Sequence, residues 1–129
     1  MKPAKIHFFS AINGEKTIVW NGFADFDKIG WIRFQTQTNE TIEIAWTNTD
    51  ARFKKQGESD LTIHFVPGQI KQGTIKADGF EFPVSVKTKS VRVAENAVDI
   101  AYEIIDGPDL PSQHLIHVDW ITEGRNSHK

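Results

Sequence analysis

The sequence predicts an all-β protein, a single antiparallel barrel of about eight to ten strands that takes in residues 1–129. Three observations carry this. Apolar and polar residues alternate at period two along nearly the whole chain, and no window of helical length keeps apolar residues at i, i+3, i+4 and i+7. Turn pairs containing Gly or Pro interrupt the alternation roughly every 8 to 12 residues, the spacing of a sandwich or a barrel. Closure is favoured because joining the first and last strands removes edges that would otherwise recruit other chains.

The first strand is expected over Lys5–Ile12, ending at Asn13-Gly14, a pair suited to a tight hairpin because both positions need positive φ. The second runs from Lys16 to Asp27; Asn21-Gly22 inside it fits a glycine bulge in one long strand at least as well as a turn. After Gly30, Trp31–Thr38 places Ile32 and Phe34 on one face, and Thr41–Trp46 does the same with Ile42, Ile44 and Trp46. Ala51–Gln56 ends at Gly57, Leu61–Val66 ends at Pro67-Gly68, and Gln69–Lys76 closes at Asp78-Gly79. Phe80, Phe82, Val84 and Val86 share a face of a segment that continues to Val93, in which Pro83 marks an edge, a bulge or a corner. Val98, Ile100, Tyr102 and Ile104 form the apolar face of the next strand, and Gln113–Thr122 is the last, after the Asp106–Pro111 loop. Ile44, Phe82, Val84, Ile100 and Tyr102 are expected to face inward, and residues from Arg125 onward to be flexible.

The composition narrows the function classes. Fifteen basic and 17 acidic side chains give a net charge of −2, so bulk charge points to no particular partner. There is no cysteine, which removes disulfides, thiolate catalysis and cysteine-ligated zinc and suits a reducing compartment. The apolar run from Ile6 to Ile12 is too short and too polar for a secretory signal, and no segment is long enough to span a membrane as a helix, so a cytoplasmic protein is expected.

The order of strands and turns resembles the YwiB-like proteins, a bacterial family of unknown function with a small lipocalin-like (calycin-type) barrel. The resemblance rests on the long second strand with Gly22, on Pro67-Gly68 followed by Gln69–Ile75, on the stretch Phe82–Val91, and on Asp99–Ile104 followed by Leu115–Val118. Two departures stand out: Pro67 occupies the place of the family's usual arginine, and the Lys76–Gly79 turn is shorter than the family's segment there. The resemblance implies a fold and a cavity, and carries no catalytic residue.

Four Trp, nine Phe and one Tyr are enough to fill a barrel of this size, whose interior lies on the border between packed and hollow. If it is hollow, a small apolar or amphipathic ligand is the expected partner, with Thr36, Trp46, His64, Thr88 and Tyr102 as candidate contacts. The alternative is RNA or an acidic protein held by Arg52, Lys54, Lys55, Lys87, Lys89 and Arg92, since residues 52–92 carry eight basic groups against four acids. Phe53 has the opposite strand parity to Arg52 and Lys54, which weakens that reading, and a bland account is charge neutralisation across strands.

An unrecognised hydrolase is a third possibility. His114 and His117 point to opposite faces of a strand and cannot chelate together, whereas His117 and Asp119 share a face, as a metal pair or an acid–base pair requires. A solvated outer strand face explains the latter pair as well, and His64 reads as a strand-surface residue or a polar group in a pocket. No serine lies in a nucleophile elbow and no glycine cluster cradles phosphate, so neither a catalytic residue, a metal nor a cofactor is expected. Monomer and dimer both remain open.

Overall fold

Asn13 and Gly14 adopt φ of 50° and 88°, the two left-handed conformations that fold β1 (Lys2–Ile12) back against β2 (Glu15–Asp27). Asp78 and Gly79, at 54° and 80°, do the same between β7 (Ile70–Ala77) and β8 (Phe80–Val93). Pro67 and Gly68 turn β6 (Ser59–Phe65) towards β7; Gly68 takes a φ of 80° and the Gln69 N–H donates to the Val66 carbonyl at 3.0 Å, a type II turn. β3 (Trp31–Gln35), β4 (Thr41–Trp46), β5 (Ala51–Gln56), β9 (Ala97–Ile104) and β10 (Ser112–Thr122) complete the set. The structure is a computed structural model that describes residues 2–27, 30–105 and 112–122; the Asp106–Pro111 loop and the tail from Arg125 lie outside the described residues.

Each strand pairs antiparallel with its sequence neighbours, and β1 pairs with β10 to close the ring as a ten-stranded barrel with no helix among the described residues. The expected β class and closure are therefore met. The two walls beside the β1–β2 hairpin differ in strength. Among the described residues β1 and β10 are in register over Ala4–Ile12, whereas β2 meets β3 only at Asp25, Phe26 and Asp27, so residues 15–24 of β2 have no ladder partner there on that side.

Even-numbered residues of β2, β3, β4, β9 and β10 point inward, and the interior is filled. Trp46 stacks on Trp120 at 5.2 Å and Phe26 packs beside Trp120 at 5.3 Å, while Phe8 meets Phe34 at 5.2 Å and Phe65 meets Tyr102 at 4.7 Å. Ile6, Ile32, Ile42, Ile44, Ile63, Val86, Val98, Ile100, Ile116 and Val118 fill the space between these rings. Burial of apolar side chains at this density supplies the main drive to fold.

Several local expectations need correction. β3 stops at Gln35, because Thr36 N–H bonds the Glu40 carbonyl and the Thr36 hydroxyl accepts from Glu40 N–H, turning the chain before Thr38. The register shift in β2 falls beside Lys16 and Ile18, opposite Ala11 and Ser10, leaving Thr17 as the extra residue; Gly22 pairs regularly with Ile6. Gly22 instead makes room for an aromatic ring, since a Cβ there would lie 2.8 Å from the Trp20 indole, which leans along the strand over it.

Phe82, expected inside, is 51% exposed, whereas Val84, expected inside as well, is half-buried and packs against the core. β8 pairs with β9 only from Val86 onward, so residues 80–84 form a free edge of the sheet, with β7 and then β6 on their other side, and the inner-facing parity leaves the covered interior beyond Val84. Pro83 sits on this free edge, where a missing N–H costs no ladder bond.

Candidate functional site

Where β2 parts from β3, the wall opens into a cleft of about 200 Å³ lined by Thr17, Ile18, Val19, Trp20, Thr36, Gln37, Thr38 and Glu40. Its apolar element is Trp20, half-buried and stacked on Phe34 with ring centroids 4.3 Å apart and planes 17° from parallel. The glycine at position 22 is what allows the indole to lie down in this way. Its polar side comes from the turn between β3 and β4. There the Thr36 and Thr38 hydroxyls are 3.1 Å apart, Thr38 donates to Glu40 at 3.4 Å, and the Glu40 carboxylate faces the Lys55 ammonium at 3.6 Å. The cleft thus joins an indole, a row of hydroxyls, a carboxylate and the unpaired edge of β2, which suits a small molecule with one apolar and one polar end.

The five candidate ligand contacts do not converge. Thr36 lines the cleft. Trp46 lies in the Trp46–Trp120 stack, away from it. His64 points outward and bonds Asp50 at 2.7 Å; the Asp50 pKa is lowered by the Thr47 hydroxyl and then by His64. Thr88 and Tyr102 face each other across β8 and β9 inside the barrel. The Thr88 hydroxyl is buried with no hydrogen-bond partner among the described residues, and burial raises the Tyr102 pKa. Sequence reasoning misses Trp20 as a contact, because only the early end of the β2–β3 pairing brings its ring to the surface of an opening.

The basic candidates fall into separate groups. Arg52 and Lys54 are on the outer face of β5, but Lys55 has the inward parity of Phe53 and engages Glu40. Lys87 and Arg92 lie on β8, opposite Glu103 and Asp99, and Lys89 donates to Gln113, which in turn donates to Glu103. Lys54 likewise stands opposite Glu43. Two strands, β6 and β7, separate β5 from β8, so the groups are roughly 14 Å apart along the sheet.

His117 and Asp119 do share the outer face of β10, and their partners come from the flanking strands. His117 Nε2 is 2.7 Å from Asp119 Oδ2, its Nδ1 is 2.6 Å from Asp99 Oδ1 on β9, and His7 Nδ1 on β1 is 3.2 Å from the same Asp119 oxygen. Burial works against charge on His117, but the hydrogen bonds to Asp99 and Asp119 outweigh it and hold its pKa above the usual histidine value. Phe9 stacks on the His117 ring at 5.0 Å, with Lys16 over the phenyl ring in turn. His7 and Asp99 are far from the pair in sequence, and no local pattern singles them out; only the β1–β10 and β10–β9 registers assemble the group. His114, on the opposite face as its spacing requires, stacks on Tyr102 inside the barrel.

Among the described residues no helix is long and apolar enough to cross a membrane. No curated protein matches the chain. Among solved structures it is similar to the YwiB protein from Bacillus subtilis, with 16% identity, 94% of this chain and 93% of that chain covered, and a TM-score of 0.63, a likeness of fold. The model of a domain of unknown function, DUF1934, matches residues 31–118, well over half of the chain, and that match together with the closed barrel and its strand order shows that the chain belongs to the DUF1934 family, a YwiB-like family of unknown function.

Proposed function

We propose that this protein is a cytoplasmic binding protein that takes a small amphipathic molecule at the mouth of the barrel, in the cleft beside Trp20. The observation that carries the reading is the opening itself: β2 runs past β3 for ten residues without a ladder partner, and the gap holds a stacked indole next to hydroxyls and a carboxylate. The filled interior moves the ligand from the centre of the barrel to this opening. An apolar portion lies on Trp20 and Ile18, and a polar portion meets the Thr36, Thr38 and Glu40 side chains. The lack of cysteine supports the reducing location.

Titration of the full chain with an environment-sensitive apolar dye tests this. The expected result is one dye per chain with an affinity that changes little with salt, because apolar desolvation drives it. Trp20→Ala should abolish the signal and Trp31→Ala, whose indole donates to Glu43 away from the cleft, should preserve it. Absence of stoichiometric binding, or binding indifferent to Trp20→Ala, overturns the reading. A signal that collapses between low and physiological salt overturns it too, and directs attention to the basic groups on β5 and β8.

A further inference from the structure

The outer face of β1 and β10 carries a second constellation, independent of the cleft. We propose that His7, His117 and Asp119 form a binding site for a divalent transition-metal ion of the zinc type, with Asp99 holding His117 in its coordinating orientation.

The argument starts from strand geometry. Residues 117 and 119 are two apart on β10, so both side chains leave the same face, and β1 places His7 directly opposite Asp119. One ligand atom from each of His7, His117 and Asp119 therefore lies within 4.8 Å of the other two, with His7 Nδ1 and His117 Nε2 both directed at Asp119 Oδ2. Ligands held at roughly 2.0–2.1 Å from a tetrahedral ion lie about 3.3 Å apart. The His7–Asp119 distance of 3.2 Å already meets this, and the 2.7 Å between His117 and Asp119 needs only a small opening. Two imidazoles and a carboxylate, with no thiolate, select borderline ions such as zinc over calcium or magnesium.

The surroundings of His117 strengthen the assignment. Its second nitrogen, Nδ1, points at Asp99 Oδ1 at 2.6 Å, and a carboxylate behind a coordinating imidazole fixes both the tautomer and the direction of the free nitrogen. Phe9 covers the flat side of the ring at 5.0 Å and restricts its rotation. A two-residue hydrogen-bonded pair would need none of this support, and here two rings are aimed at one carboxylate oxygen while a second carboxylate anchors one of them. The protein supplies three ligands and the site faces outward, so the fourth position is open to water or to a group on an incoming molecule. Phe23 and Ile121, both exposed, stand on either side of Lys5 next to this position and give its rim an apolar character.

Calorimetric titration of untagged, chelator-treated full-length protein with zinc tests the site. One ion per chain should bind. His7→Gln and Asp119→Asn, which keep polar side chains on an exposed face and are checked for folding by circular dichroism, should each remove saturable binding. Asp99→Asn should weaken it about 10- to 100-fold while retaining the one-to-one stoichiometry. His64→Gln, which breaks the other outward His–Asp pair, should change nothing. Cobalt in place of zinc should give the intense visible absorption of a tetrahedral site, lost in His7→Gln. Absence of saturable binding, affinity unaltered in folded His7→Gln and Asp119→Asn, or equal loss in His64→Gln each overturns the site.

Discussion

Tyr102 and His114 lie face to face inside the barrel, with ring centroids 4.9 Å apart and planes 15° from parallel. They are directly paired across β9 and β10, and the imidazole Nε2 reaches Ser112 Oγ at 2.7 Å. The stack buries an ionisable ring against an apolar partner, and burial lowers the His114 pKa from 6.5.

The sign of the pH effect follows. The unfolded chain takes up a proton near pH 6.5 that folded His114 resists, so this contribution to stability is complete above that value and is lost as pH falls towards the lowered folded value. His114→Phe keeps the stack and removes the proton site. Urea midpoints measured from about pH 7.5 to pH 5 should fall less steeply for this variant than for the parent.

His117 behaves in the opposite sense in the metal-free protein. Its raised pKa makes its contribution complete below 6.5 and lost as pH rises through the folded value. Ring-proton NMR should show His117 and His114 titrating on opposite sides of 6.5; a shared midpoint would contradict both environments.

Thr88 is 1% exposed and its hydroxyl has no partner among the described residues. An unpaired buried hydroxyl costs free energy that a methyl group does not, so Thr88→Val should raise the unfolding free energy by about 1 kcal/mol. A stability loss on this substitution would mean that the hydroxyl has a partner in solution.

Ile100 and Phe82 test the interior against the free edge of β8. Ile100 is fully buried, and Ile100→Ala should cost about 2–5 kcal/mol in denaturant unfolding. Phe82→Ala removes more side chain yet acts on a half-exposed position at the sheet edge, and should cost less than Ile100→Ala.

Gly30 combines a φ of +133° with a close approach to Trp46, whose carbonyl oxygen a Cβ would strike. The Gly30 carbonyl also accepts from Trp46 N–H at 2.9 Å, tying the start of β3 to the end of β4. Gly30→Ala should therefore destabilise by more than about 1 kcal/mol, whereas Gly68→Ala, strained only by its φ with open space around it, should cost less.

Much of this architecture is legible in the chain. Alternation identifies the inward sets Ile42, Ile44, Trp46 and Val98, Ile100, Tyr102, and the turn pairs at residues 13–14, 67–68 and 78–79 adopt the conformations their chemistry favours. Strand parity likewise separates His114 from His117. What alternation cannot show is how far each strand keeps a neighbour. Phe80 and Phe82 continue the interior pattern of β8 past the point where β9 ends, and Trp20 does so beside the short β2–β3 pairing. The same reason hides His7 and Asp99: a period within a strand fixes the face, but only the register between strands decides which side chains on that face meet.

Nine of the ten pairings in the ring join consecutive strands, and only β1 with β10 joins distant ones. On the ribosome, β1 emerges first and its outer edge waits for the last strand to be synthesised, while β2 to β9 can zip up one hairpin at a time. A translation product truncated before Ser112 would leave both β1 and β9 with an unpaired flank, and such products should accumulate in aggregates or be degraded rather than persist as soluble fragments. Docking of β10 between β9 and β1 is thus the step that completes the ring.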